Sequence, residues 1–299
     1  MTGQRIADSA LRGMRRGERT NRRALIFDIL MYGAIALALV SLLALIIQTV
    51  VKGAPDLSLQ FFLNFPSRIN PANSGAQSAI VGTLYLMLLT AVFVIPVGIA
   101  TALYLEEYAD KTRWWNRMIE VNIQNLAAVP SVVYGILGLA FIVRGPLGLG
   151  PVLLAGGLTL GLLVLPVVII VARESIRAVP PSIREGALAL GATKWQMVSR
   201  QVLPGARAGM VTGIILSLSR AIGETAPLLV IGAASSPRFN PSGLGDAFTA
   251  LPIQIFSWTQ DPNPVFVNQA ATASIVLLGI LLAMNGVAIV MRNRYEQRW

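Results

Sequence analysis

Residues 205–231 read GARAGMVTGIILSLSRAIGETAPLLVI, an apolar run whose charges beyond Arg207 are one arginine, Arg220, and one glutamate, Glu224. Such a run is long enough to cross a bilayer, and a charge near its centre costs roughly 2.5–3.5 kcal/mol even on the gentlest insertion scale, so an arginine there faces a polar pathway or a charged partner. Gly205, Gly209, Gly213, Ser217 and Ala221 recur every four residues, a stripe of small residues that lets another helix approach closely. Arg220 and Glu224, also four apart, fall on a neighbouring stripe, which leaves one face to pack and the other to line a cavity. A purely structural reading has the two charges neutralise each other along one helix. With the cation N-terminal that is the weaker order, and two apolar residues would be cheaper.

Outward from this run the whole chain is apolar: 55% hydrophobic and 13% charged over 299 residues, with a mean hydropathy of +0.66. That composition excludes a soluble domain of this size and predicts a polytopic, all-α membrane protein. Six segments are long and apolar enough to span, at 24–51, 78–105, 122–143, 151–172, 208–233 and 269–291. The first is too long and uncut for a cleavable signal and reads as a retained helix. Counting Lys and Arg between spans puts 19 on the side of the two termini and 4 on the other, with Arg220 in the membrane. By the positive-inside rule both termini are cytoplasmic. The expected organisation is a basic N-terminal tail over 1–23, a six-helix domain over 24–291 with an inner loop at 173–207 and an outer loop at 234–268, and a C-terminal tail over 292–299.

The net charge of +10 raises nucleic acid as a partner, but the basic residues cluster beside apolar spans, as topology signals and anionic-lipid contacts do. With no cysteine and no histidine, disulfides, thiolate or imidazole metal sites, thiol nucleophiles and histidine proton relays are excluded. Chemistry is left to carboxylates, arginines, hydroxyls and backbone.

Four spans carry an internal proline, Pro96, Pro130, Pro166 and Pro227. Each removes a backbone hydrogen bond, so kinks or breaks are expected, as in a bundle that moves around a cavity. The inner loop is longer than a plain connection requires. Ser182-Ile-Arg-Glu185 reads as a capping box, Gly191 as a helix stop, Thr193-Lys-Trp-Gln196 as a second capping box, and Pro204 as the end of the second short helix. Two brief helices joined at Gly191 make a compact docking knob. In the outer loop, Leu251–Trp258 suits a helix or re-entrant segment at the membrane interface, in reach of an external protein or simply packed on the surface.

Glu185-Gly-Ala187, Gly191 and Leu203-Pro204 carry a resemblance to the EAA loop of ABC-importer permeases. The spacing matches in full, with Gly186 in place of the first alanine and Gln201 at an apolar position next to Val202. Val129-Pro-Ser-Val-Val-Tyr-Gly-Ile-Leu-Gly138, Arg220 with Ala221-Ile-Gly-Glu-Thr-Ala-Pro-Leu-Leu229, and Leu251-Pro-Ile-Gln-Ile-Phe-Ser-Trp258 are similar to permeases of phosphate-specific transport systems, of the PstA rather than the PstC type. The resemblance covers about residues 25–291.

The resemblance implies a type I ABC importer permease (MetI-like) architecture in a bacterial inner membrane. It also implies a PstC-like permease partner, two PstB-like ATPases and a PstS-like phosphate-binding protein outside. The chain has no phosphate-binding Gly-rich loop ending in Gly-Lys-Ser/Thr. ATP and Mg are therefore expected on the partner ATPases, with no cofactor, metal site or enzymatic activity on this chain. The resemblance makes the knob a coupling helix and places Glu185, Gly186, Ala187, Gly191, Ala192, Trp195, Leu203 and Pro204 at the ATPase contact; Trp195 also suits a headgroup anchor.

In the pathway, Arg220 offers a forked donor to a tetrahedral oxyanion. Glu224 accepts a hydrogen bond from protonated phosphate, which sulfate cannot give, or else it pairs with an arginine of the partner. Ser131, Tyr134 and Thr225 add hydroxyls, or serve only as helix-to-helix hydrogen bonders. A permease for another oxyanion (phosphonate, sulfate), a non-transporting scaffold and a lipid-modifying enzyme are the remaining alternatives. The enzyme would need further paired carboxylates or a nucleophile, and no such cluster stands in the sequence.

Overall fold

The computed structural model describes residues 3–234 and 237–295, with side chains from Ala24 onward except those of Ala72 and Tyr295. The side chains of the 1–23 tail, and residues 296–299 of the C-terminal tail, lie outside the described residues. The described chain is helical, its only β pairing being one bridge between Val152 and Ala247. It divides into two units, Met1–Val51 and Lys52–Trp299.

The first unit is most of one long helix, α1 (Gly3–Gly53). Its apolar side chains from Leu25 to Val51 are exposed, apart from the half-buried Ile46, which suits a helix whose solvent is lipid.

The second unit begins with the short α2 (Leu59–Leu63). The long α3 (Gln77–Leu103) follows and is extended by a π-turn over Tyr104–Tyr108. Next come α4 (Trp114–Ala127) and α5 (Ser131–Leu137), the latter prolonged by a π-turn over Gly138–Val143. Then come α6 (Leu153–Arg177), α7 (Pro181–Ala189) and α8 (Lys194–Met197). The remaining helices are α9 (Leu203–Ile222), α10 (Ala226–Val230), α11 (Leu251–Thr259) and α12 (Pro264–Tyr295). Among the described residues, five helices are long and apolar enough to cross a membrane, or six if the bent pair α4–α5 is one span.

The core forms around α6, which packs against α3 on one side and α9 on the other. Glycines set both approaches. A Cβ on Gly157 would come within 2.6 Å of Leu89, and one on Gly161 within 2.6 Å of Phe93. Within the small-residue stripe of α9, a Cβ on Gly209 would lie 2.8 Å from Ser175, and one on Gly213 would collide with Val171. The stripe thus does what its four-residue spacing predicts: it lets α6 and α9 meet almost backbone to backbone.

Two spans differ from the sequence-based expectation. The third is not a straight crossing at 122–143 but two helices bent by 107° at Ala128–Pro130. Pro130 stands outside both as the N-cap of α5, and α4 is amphipathic, with only Asn116 and Ile123 buried. The fifth begins and ends earlier than 208–233: Lys194–Ile222 is one helical run, which stops where Gly223 caps α9 and Pro227 starts α10. Pro96 and Pro166, by contrast, remain inside α3 and α6.

The outer loop also departs from expectation. α11 forms, yet it does not lie on the surface with its tryptophan toward headgroups. Trp258 is 1% exposed and stacks on Phe266 at 6.4 Å. The Leu251 amide donates to Thr83 Oγ1 at 2.8 Å, anchoring α11 to α3. An apolar segment that finds a protein groove buries more surface there than at an interface.

Candidate functional site

The bend of the third span packs against α10, which follows the end of the fifth. A Cβ on Gly135 of α5 would lie 2.7 Å from Pro227 Cα and 3.0 Å from Val230 of α10, so only glycine allows this approach. Beside the contact opens a cavity of about 340 Å³, lined by Leu126–Ser131 and Tyr134 on one side, Leu163, Val164 and Val167 of α6 behind, and Ser217, Arg220, Ala221 and Glu224 on the other. Four of the five residues expected in a pathway, Arg220, Glu224, Ser131 and Tyr134, are therefore brought together; Thr225, at the start of α10, is not among the lining residues.

Arg220 and Glu224 do not sit on one continuous helix. Arg220 is in the last turn of α9, and Glu224 is in the break, its amide donating to Ala221 O at 3.1 Å. Arg220 Nε and Glu224 Oε1 are 3.9 Å apart, with the side chains 74% and 18% exposed. That separation is beyond hydrogen-bond range, so the pair does not consume the guanidinium's donors. An exposed pair of this kind contributes little to stability. The geometry thus leaves a planar cation facing the cavity with a carboxylate beside it, suited to an oxyanion that can also donate a proton.

The hydroxyls divide. Tyr134 donates to Leu126 O at 2.8 Å and so ties α5 back to α4 across the bend, the helix-bonding alternative. Ser217, singled out in sequence only as a packing residue, donates to Gly213 O at 2.8 Å and lines the cavity.

The knob forms between α6 and α9. α7 ends in a Schellman motif: Gly191, with φ +83°, donates to Leu188 O, and the Ala192 amide to Ala187 O, a conformation that favours glycine. The Thr193–Gln196 capping box is present in both directions. The one expected at Ser182–Glu185 is not: the N-cap is Pro180, two residues earlier, and α7 starts at Pro181, because proline's fixed φ favours the first helical position. Nor does Pro204 end the second helix. It enters the first turn of α9 just after a π-turn over Val198–Val202, where the change of register accommodates its missing N–H. That π-turn also explains the mismatch at Gln201, since the extra residue turns Val202 into the core and leaves Gln201 exposed. Of the expected coupling residues, Glu185, Gly186, Gly191, Trp195 and Pro204 are exposed, and Ala187, Ala192 and Leu203 are half-buried.

Sequence alone did not single out a charged cluster where α3, α4, α6 and α7 converge. Glu106 accepts from Arg177 through both oxygens at 3.1 Å and from Lys111 at 3.1 Å. Arg173 reaches Glu120 at 2.7 Å and Glu106 at 3.4 Å. Arg184 binds Glu107 at 3.0 Å and Ile176 O at 2.8 Å. The available signal was the Glu106-Glu107 pair ending an apolar run, opposite Arg173 and Arg177 four apart on one helix face.

Residues 94–299 match the family described as "Binding-protein-dependent transport system inner membrane component". The chain is 32% identical over 250 residues to the phosphate transport system permease protein PstA of Yersinia pestis, covering 84% of this chain and 83% of that protein. It is 30% identical over a 302-position alignment to the phosphate transport system permease protein PstC of Xylella fastidiosa, covering 90% and 88%. A solved chain from the inward-facing MetNI methionine ABC transporter shares the fold with a TM-score of 0.58 at 16% identity, over 75% of this chain and 95% of that one.

Proposed function

The chain belongs to the binding-protein-dependent transport system inner membrane component family, and on that premise we propose that it is a permease subunit of an ATP-driven importer of inorganic phosphate. The observation that carries the reading is Arg220, a guanidinium 74% exposed beside a cavity between the bend of the third span and the end of the fifth. Leaving such a charge toward lipid is costly. A second, PstC-like permease completing the cavity removes that cost and forms the other half of the pathway. Phosphate as cargo is supported by the names of relatives on both sides of such a heterodimer.

In this reading Arg220 binds the oxyanion through its fork. Glu224 accepts the proton that phosphate still carries at neutral pH, while sulfate leaves the carboxylate unpaired and repelled. Ser131 contributes a hydroxyl toward the cargo, and Tyr134 holds the bend that shapes the cavity. The exposed knob around Glu185 and Trp195 docks into a PstB-like ATPase, so ATP and Mg are bound and hydrolysed there, and this chain acts as a transport subunit without its own cofactor. A PstS-like binding protein delivers phosphate on the opposite face. Both termini lie in the cytoplasm by the distribution of Lys and Arg.

Proteoliposomes holding the chain with these partners are expected to take up radiolabelled phosphate on addition of ATP and to exclude sulfate and phosphonate. Uptake of sulfate at the phosphate rate, or no ATP-dependent phosphate uptake, overturns the assignment.

A further inference from the structure

The charged cluster at the knob end of the bundle is more than a neutralised surface. Three of its side chains, Glu106, Glu107 and Arg173, are only 5%, 6% and 7% exposed. Their contacts form a chain: Arg184 on α7 holds Glu107, the adjacent Glu106 holds Arg173 on α6, and Arg173 holds Glu120 on α4. Ten residues beyond Glu120 in sequence stands Pro130, where the span breaks and the cavity begins.

We propose that this ionic chain makes α7, the end of α3, the Arg177 end of α6 and α4 move as one body, so that displacement of the knob is delivered to the Pro130 break. Separating α4 from α6 would free the 39%-exposed Glu120 but leave the 7%-exposed Arg173 with only its 3.4 Å contact to Glu106, a poorly solvated cation short of a partner, which costs more than moving the helices together. Because consecutive side chains on a helical turn point in different directions, the two carboxylates of the π-turn over Tyr104–Tyr108 serve different neighbours, Glu106 toward α6 and Glu107 toward α7. Arg184 also caps the end of α6 by donating to Ile176 O, so the knob is fixed to two helices at once. Glu120, Arg173 and Arg184 are thus positioning residues for the transport cycle, and the proposal rests on the reading of α7 as the ATPase contact.

The test uses the full complex with its ATPases. The chain contains no cysteine, so spin labels introduced as Met118→Cys on α4 and Ser182→Cys on α7 are unique within it; Met118→Cys with Leu282→Cys on α12 reports whether α4 moves. On addition of ATP the 118–282 distance is expected to shift while the 118–182 distance stays fixed. Glu120→Gln is expected to release the 118–182 distance and to lower substrate transported per ATP about fivefold, with hydrolysis itself little changed and Glu120→Asp restoring the ratio. A 118–182 distance that changes with ATP in the wild type, a 118–282 distance that does not, or a Glu120→Gln variant coupled as tightly as wild type overturns the proposal. The distance measurements do not depend on the cargo: locked helices in a complex that imports sulfate would overturn the phosphate reading alone.

Discussion

At the scale of single residues, the site is a contest between packing and charge, and glycine decides where packing wins. Gly213 lies against Val171 with no room for a Cβ, so Gly213→Leu is expected to force α6 and α9 apart and cost about 1–3 kcal/mol, read as a lowered unfolding midpoint in detergent. Gly186 is the opposite case, since a Cβ there meets nothing within 4 Å and the residue lies inside α7. Gly186→Ala should stabilise that helix by about 0.5–1 kcal/mol, seen as slower amide exchange across Pro181–Ala189. Glu224 sets selectivity rather than affinity: Glu224→Gln is expected to shrink the preference for phosphate over sulfate about tenfold in competition assays. These positions were legible in the sequence because each breaks a rule of its surroundings, a charge in an apolar run or glycines at helical spacing. Thr225 was equally visible but is not among the residues lining the cavity; it stands beyond the break at Gly223, at the start of α10.

At the scale of elements, the outer turn and the charged cluster give separate tests. Asp246 accepts from the Ser242 hydroxyl at 2.8 Å, the Ser242 amide at 2.7 Å and the Gly243 amide at 2.8 Å, which together hold its carboxyl below its ordinary value of 3.8. The folded value is the lower one. The turn's stabilisation is therefore complete above pH 3.8 and is lost as pH falls through the folded value. Asp246→Asn should loosen the 242–246 turn at neutral pH, seen as faster exchange of the Ser242 and Gly243 amides. In the charged cluster, Glu106→Gln leaves Arg173 and Arg177 short of their shared carboxylate, and a loss of about 3–5 kcal/mol is expected, measured by thermal unfolding of the complex. Element existence followed from apolar length and proline position. The bend in the third span did not, since a proline does not state whether the helix continues through it, as at Pro96 and Pro166, or turns through 107°, as at Pro130. The ion cluster was hidden for a related reason: its members come from four elements, and charges near span ends read first as topology signals.

At the largest scale, the unit Lys52–Trp299 presents a cavity lined by Arg220 and Glu224 and an exposed knob between α6 and α9, with an ionic chain leading from the knob toward the cavity. Composition and periodicity sufficed for the membrane class, and motif spacing for the family. The contact of the third span with α10 through Gly135 and Pro227 emerged only from the fold, because it lies between segments far apart in sequence. The central claim is that Arg220 faces the cargo. It is tested most directly by ATP-dependent phosphate uptake in proteoliposomes carrying the Arg220→Ala complex, with assembly and ATP hydrolysis measured alongside. Uptake is expected to fall about 10- to 100-fold, the loss of a charge-assisted contact, while the ATPases remain bound and active; uptake at the wild-type rate would reduce Arg220 and Glu224 to a structural pair and contradict the account.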